Sequence, residues 1–282
     1  GNVKKISSYV TRKVADKLQS LFKENREDFE KKWNDIKIVI EYGMLSEEKF
    51  FEKAQKFALY PTVNDKYYTF EELLEKIKPL QTNKDGQTII LYANNKEAQH
   101  SYIAEAEAKG YEVLLLDSPL VAHLIQKLET SGEKISFARV DADSIENLIK
   151  KEDTQISRLS EEETEKLKDW VTNAIENTSY TVQPEALNSE ATPFRITQPE
   201  FIRRMKEMQA VGGGMGFGGF PEMYNLVVNT NSPLASQILS TSDEAARKAL
   251  ISQSFDLARL SQGLLKGEAL TEFVKRSFSL LK

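Results

Sequence analysis

Residues 88–116, TIILYANNKEAQHSYIAEAEAKGYEVLLL, contain two β-prone runs separated by a helical stretch. The runs at 88–92 and 111–116 are largely apolar, which is typical of strands that are buried on both faces. Between them, residues 96–109 predict a helix that ends at Gly110. This segment therefore reads as a strand, a helix and a second strand.

The pattern continues towards the C-terminus with a further helix and strand. Residues 119–128 predict the helix, and 135–140, Ile-Ser-Phe-Ala-Arg-Val, predict the strand. The resulting order β-α-β-α-β implies a small parallel sheet with right-handed crossovers.

Such a unit can bind phosphorylated ligands. Whether this one does depends on the residues in the turn after its first strand. A dinucleotide site places a glycine-rich turn there, whereas residues 93–97 read Ala-Asn-Asn-Lys-Glu, without glycine. A structural subdomain is therefore the favoured interpretation. An enzyme or binding module that uses this unit for a phosphorylated ligand stays as the alternative.

The first 60 residues predict helices. We expect Gly43 to end the second helix and residues 46–59 to form another. The first helix carries an apolar face at spacings of three and four residues, formed by Ile6, Tyr9, Val10, Val14, Leu18, Leu21 and Phe22.

The second half of the chain mixes short strands with helices. Ser160-Glu161-Glu162-Glu163 is a capping box that opens a helix. Residues 179–182, 192–196 and 224–229 predict strands, and 198–211 predict a helix. The fold class is therefore α+β: an N-terminal helical bundle, a small αβα unit with a short parallel sheet, and a helix-rich C-terminal domain with a small sheet.

Six of the 13 glycines lie between Gly212 and Gly219, together with Met215 and Phe217. A phosphate-binding loop would end in Gly-Lys-Ser/Thr or follow a strand directly, and neither condition holds. The segment joins backbone freedom to large apolar side chains, a combination that suits adaptable contact with other apolar surfaces.

The two helices at the C-terminal end carry apolar faces that need a cover. They could fold back on their own domain, or pair with the same helices of a second copy in a four-helix bundle. The pattern by itself favours neither. The candidate residues are Leu250, Leu257, Leu264, Leu270, Phe273, Val274, Phe278 and Leu281.

Composition excludes several kinds of chemistry. The 282 residues suffice for two domains, and the net charge of −5 does not favour nucleic acid as a partner. With no cysteine and two histidines, we expect no metal site of thiolates or several histidines, no cysteine nucleophile and no Ser-His-Asp triad. No apolar run approaches the roughly 20 residues that span a bilayer, so we expect a cytoplasmic protein without membrane contact.

Scattered motifs across the whole chain resemble the bacterial heat-shock protein 90 chaperone family, in that family's order. Each is weakly specific alone, and together they are strong. They are YVTRKV (9–14), FEKKW (29–33), KGYEVLLL (109–116), RRMKEM (203–208), LVVNTNSPL (226–234), LARL (257–260) and FVKR (273–276).

The resemblance implies that residues 1–143 are the end of a middle domain, with a helical bundle at 1–60 and the αβα unit at 61–143. Residues 144–282 would be the C-terminal dimerisation domain. It also implies an ATP-dependent parent whose ATPase domain, with its ATP and Mg²⁺, lies upstream of this chain. We therefore expect no cofactor and no enzyme activity in this part.

The resemblance further implies two kinds of partner. One is a second copy of the chain, held through the two terminal helices. The other is partly unfolded client protein, and no acidic tail is present for tetratricopeptide co-chaperones. In the client interpretation, apolar side chains face the client, whereas Met205 and Met208 could instead pack on their own domain. The matching positions are Met205, Met208, Val211, Met215, Phe217 and Phe220.

Overall fold

The structure is a computed structural model that describes residues 2–151, 155–212 and 221–282. The described residues divide into two compact units. The first unit comprises 2–140 and 201–212, and the second comprises the described residues of 141–200 together with 221–282.

Helices predominate in the described residues, with short strands between them. The helices are α1 (Asn2–Glu24), α2 (Arg26–Ser46), α3 (Glu48–Ala54), α4 (Phe70–Gln81), α5 (His100–Ala108), α6 (Val121–Glu129), α7 (Ile145–Leu148), α8 (Glu161–Ile175), α9 (Glu200–Val211), α10 (Pro233–Ser240), α11 (Glu244–Ser261) and α12 (Gly267–Ser279). The strands are β1 (Tyr60–Pro61), β2 (Tyr67–Tyr68), β3 (Thr88–Ala93), β4 (Val113–Leu115), β5 (Ile135–Arg139), β6 (Tyr180–Glu185), β7 (Phe194–Thr197) and β8 (Tyr224–Asn229). The predicted α+β class is confirmed.

Aromatic side chains hold the first three helices together. Phe29 on α2 meets Phe57 at 6.4 Å between ring centroids, and Phe50 on α3 meets Phe57 at 6.1 Å, both edge to face. All three rings are buried. The N-terminal part of the apolar face predicted for α1 is exposed in this unit, including Ile6 and Val10, whereas Leu18 and Phe22 pack against the core.

The prediction that Gly43 ends a helix was wrong, because α2 continues to Ser46. Gly43 lies inside the helix, where a β-carbon would come within 2.8 Å of the Phe50 ring. This glycine therefore provides room for a neighbouring aromatic ring and does not terminate the helix.

The parallel sheet of the first unit has the predicted strands in the order β4-β3-β5. Leu91 pairs with Val113 and Ile90 pairs with Phe137, both in parallel register. The helix after β3 begins at His100, four residues later than predicted. The two-residue strands β1 and β2 form an antiparallel pair that the sequence did not indicate.

The sheet of the second unit is mixed, in the order β6-β8-β7. β6 runs parallel to β8, and β7 runs antiparallel to β8. Its core joins Leu226 and Val228 of β8 to Leu167 of α8 and Ile251 of α11. The predicted capping box is present: the Glu163 amide donates to Ser160 Oγ at 3.1 Å, and the Ser160 amide donates to the Glu163 carboxylate at 2.8 Å.

The two units divide between Val140 and Asp141, three residues before the boundary that the resemblance implied. The contacts also assign α9, from Phe201 onwards, to the first unit, although α9 follows that boundary in sequence. The assignment of these units to a middle and a C-terminal domain stays a prediction. Within the described ranges, no helix is both long and apolar enough to cross a bilayer.

Candidate functional site

Helix α9 packs on the parallel-sheet unit through a charged face. Arg203 is buried, and its Nη2 donates to the Tyr92 hydroxyl on β3 at 2.8 Å. Its Nη1 donates to Glu207 Oε1, one turn further along α9, at 2.9 Å. The guanidinium also lies 5.7 Å from the centre of the Tyr92 ring. A polar group inside a largely apolar unit is thereby paired, as its burial requires.

The neighbouring Arg204 makes a second attachment. Its Nη2 donates to the Phe137 carbonyl on β5 at 2.6 Å and forms an ion pair with Glu129 Oε1 at 2.8 Å. That carboxylate oxygen in turn accepts the Phe137 amide at 3.0 Å. One arginine therefore connects α9 to both α6 and β5, and charge-assisted hydrogen bonds of this kind are the strong ones.

Several apolar side chains of α9 point to solvent instead. Phe201 is 74% exposed, Met205 is 40% exposed and Val211 is 44% exposed. Met208 is half-buried. A helix normally buries its apolar face, and here the charged face is the docked one. Of the six predicted client positions, Met215, Phe217 and Phe220 lie outside the described residues.

A second exposed apolar surface lies on the two terminal helices. Leu257 on α11 and Phe278 on α12 are 53% and 66% exposed, and Val274 and Leu281 are exposed as well. Leu260 and Leu280, which the sequence did not single out, are also exposed. The sequence could have indicated both: Leu260 lies three residues after Leu257, at helical spacing, and Leu280 directly precedes Leu281.

The other predicted dimer positions pack within the second unit. Leu250 and Leu264 are half-buried against its core, and Leu270 is half-buried. Phe273 is buried at 6% exposure. Helical periodicity placed these residues with Val274 and Phe278, which are 41% and 66% exposed.

The turn that could hold a phosphorylated ligand is filled by its own chain. The Asn94 and Asn95 amides both donate to Gln99 Oε1, at 2.9 and 3.2 Å, and Gln99 Nε2 donates to Asn94 Oδ1 at 2.9 Å. A phosphate at the end of β3 needs such amides as donors. The Gln99 side chain occupies them, so the geometry gives the alternative hypothesis no support.

Comparison with known proteins gives a consistent result. The family model described as Hsp90 protein matches residues 2–282. The chain is 40% identical to Chaperone protein HtpG of Bacteroides thetaiotaomicron and 37% identical to Chaperone protein HtpG of Porphyromonas gingivalis. Each alignment covers 99% of this chain and 51% of the relative.

A more distant relative is Chaperone protein HtpG of Bdellovibrio bacteriovorus, which is 26% identical over 87% of this chain and 40% of its own length. The chain thus spans about half the length of the curated relatives that it matches. The full-length family match and the identities above 30% confirm the resemblance that the scattered motifs indicated. The chain belongs to the Hsp90 family of chaperone proteins.

Proposed function

We propose that this chain is the part of an Hsp90-family chaperone that homodimerises and holds partly unfolded client proteins. The observation that carries the proposal is the exposure of large apolar side chains at both predicted surfaces, around Phe278 on α12 and around Met205 on α9. Exposed apolar patches of this kind mark interaction sites.

Dimerisation is supported by the apolar side chains on α11 and α12. Full burial of such a side chain contributes roughly 1.5–3 kcal/mol, and each copy offers Leu257, Leu260, Val274 and Phe278. A two-fold contact counts these groups twice. Because these side chains are only about half exposed in one copy, their sum is of the same order as the roughly 4–15 kcal/mol that association costs, which permits a second copy as their cover.

Sedimentation velocity of the chain at micromolar concentration tests dimerisation. We expect a dimer, and Leu257→Asp with Phe278→Asp should give a folded monomer because two charges would enter an apolar contact. These two positions test the contact more directly than Phe273 would, because Phe273 is buried and its substitution would also destabilise the second unit. Val39→Asp, at an exposed apolar position on α2, is the matched control that should stay dimeric. If the unsubstituted chain is a monomer, this part of the proposal is refuted.

Client binding is supported by the chemistry of α9. Methionine is flexible and polarisable, which suits contact with many different apolar sequences, and Met205 is presented outwards because Arg203 and Arg204 dock the other face. Phe201 adds a large aromatic surface on the same side. The helix therefore offers an adaptable apolar surface on a fixed support.

Suppression of aggregation of a heat-denatured model enzyme tests this surface. Phe201→Ser with Met205→Ser should weaken suppression several-fold, whereas Val39→Ser should leave it unchanged. Circular dichroism would establish that all variants are folded. Equal suppression by the double variant and the parent chain would contradict the assignment.

We further propose that the whole protein hydrolyses Mg²⁺-ATP through a region outside this chain, and that it acts in the cytoplasm. The support is the family membership together with the half-length coverage of the relatives. Phosphate release should be absent for residues 1–282 alone and present for the complete protein. Turnover by the isolated chain would overturn this assignment.

A further inference from the structure

A buried carboxylate joins the two terminal helices. Asp256 on α11 is 6% exposed. Its Oδ1 accepts Arg259 Nη2 of the same helix at 2.5 Å, and its Oδ2 accepts Arg276 Nη2 from α12. The charge of Asp256 is thus shared between one arginine on its own helix and one on the neighbouring helix.

A second polar connection lies beside the first. Arg276 Nε donates to Gln253 Oε1 on α11 at 3.3 Å, and Gln253 Nε2 donates to Ser277 Oγ on α12 at 3.0 Å. Two consecutive residues of α12 are therefore bonded to α11. We call Gln253, Asp256, Arg276 and Ser277 the polar lock.

Helix α12 depends on such contacts because it has few other sources of stability. It is 13 residues long, and its N-cap residue, Lys266, makes no side-chain capping bond. Isolated helices shorter than about 12–15 residues are marginal in water. Within α12, Phe273 is the residue that is fully buried. The polar lock therefore adds to the apolar contacts of Phe273 in holding this helix in one orientation.

The polar lock alternates with the exposed apolar residues along both helices. Asp256 directly precedes Leu257, and Arg276 and Ser277 are the two residues before Phe278. Neighbouring residues on a helix point about 100° apart, so side chains that hold the two helices together leave Leu257 and Phe278 directed elsewhere. A rotation or displacement of α12 would change where Phe278 lies relative to Leu257.

We propose that Asp256 is a positioning residue that holds α12 against α11 in the orientation that presents Leu257, Val274 and Phe278 as one surface to a second copy. The proposal rests on the proposed dimerisation. When only a fraction of molecules is competent to bind, the apparent Kd equals the intrinsic Kd divided by that fraction. Weakening the polar lock should lower the competent fraction and so raise the dimer Kd.

A double-mutant cycle read out by sedimentation equilibrium tests the coupling. Asp256→Asn and Arg276→Met should each weaken the dimer by about tenfold, equivalent to about 1.4 kcal/mol. The double variant should be little weaker than either single variant, because both changes remove one shared interaction. Lys275→Met is the matched control, since Lys275 pairs within α12 with Glu272 at 2.9 Å. Unchanged Kd values, or fully additive losses, would overturn the proposal.

Hydrogen exchange in a monomeric background separates this inference from the dimer proposal. With Leu257→Asp and Phe278→Asp both present, Asp256→Asn should speed amide exchange across residues 267–279 and leave strand β8 unaffected. Unchanged exchange there would refute the positioning role. If the unsubstituted chain is a monomer, the dimer proposal is refuted. The exchange measurement would still decide whether Asp256 holds α12 in place.

Discussion

At position 43, the absence of a side chain decides how α2 and α3 pack. The Phe50 ring lies 2.8 Å from where a β-carbon would stand, and that ring also meets Phe57. Gly43→Ala should lower the free energy of unfolding of the first unit by about 1 kcal/mol, because overpacking costs roughly 1–3 kcal/mol and exceeds the roughly 1 kcal/mol helix gain of alanine. Urea denaturation measures the change.

The background variant Phe50→Leu provides the control for this prediction. A smaller, flexible side chain can make room, so Gly43→Ala should cost less there or become stabilising. If Gly43→Ala stabilises the unaltered chain, the close approach of Phe50 does not constrain this position.

A second residue-scale feature is the carboxyl of Glu185 at the end of β6. Burial, reinforced by the Asp143 carboxylate, raises the pKa of Glu185 from 4.5 to about 7. Ser144 Oγ and Asn147 Nδ2 donate to its two oxygens, at 3.1 and 2.9 Å. Burial also raises the pKa of Asp143, so both carboxyls ionise less readily in the folded state than in the unfolded state.

The stability of the second unit should therefore fall as the pH rises through about 7. The folded state binds more protons than the unfolded state between pH 4.5 and 7, and the contribution is complete below that window and lost above it. Glu185→Gln should stabilise the chain at pH 8 by about 1 kcal/mol, after allowance for solvent screening of this partly exposed group. Denaturation at pH 6 and 8 should show that the advantage shrinks at the lower pH, and a pH-independent difference would contradict this.

At the scale of elements, α9 shows that periodicity identifies an amphipathic helix without saying which face is docked. Arg204 connects α9 to the Phe137 carbonyl and to Glu129. Arg204→Met should release α9 and raise amide exchange across residues 201–211, because both charge-assisted bonds are lost. Hydrogen exchange with mass spectrometry measures this, and β3 should keep its protection.

Lys206→Met is the matched control for this prediction, since it removes a cation from the same helix without touching the Arg204 contacts. Its exchange profile should match that of the parent chain. Equal protection of residues 201–211 in both variants would show that the Arg204 bonds do not hold the helix.

At the scale of the whole molecule, association should make stability depend on concentration. If the second unit dimerises only when it is folded, association stabilises its folded state. The unfolding temperature of the second unit should then rise with protein concentration. The two tryptophans of the chain separate the units, with Trp33 buried in the first and Trp170 in the second, stacked 3.7 Å from the Arg247 guanidinium. Trp33→Phe and Trp170→Phe variants would therefore report one unit each by fluorescence. A concentration-independent transition at Trp170 would contradict the dimer.

The sequence by itself determined the local elements, because strand and helix patterns depend on residues close together in the chain. The parallel strands β3, β4 and β5 followed from runs of apolar residues, and the Ser160 capping box is a four-residue signal. Motif order along the chain was also enough to indicate the family. These features need no knowledge of distant contacts.

Tertiary structure alone decided which apolar residues stay exposed. Phe273 and Phe278 share one amphipathic helix, yet the first is buried and the second is exposed. The docked side is selected by contact with residues of α11 such as Asp256, which lies 20 residues away in the chain. Likewise, Arg203 fixes the outward direction of Met205 through Tyr92, 111 residues away in the chain. Pairings at that separation leave no periodic signal in the sequence, so which apolar side chains stay exposed is decided only when the chain is folded.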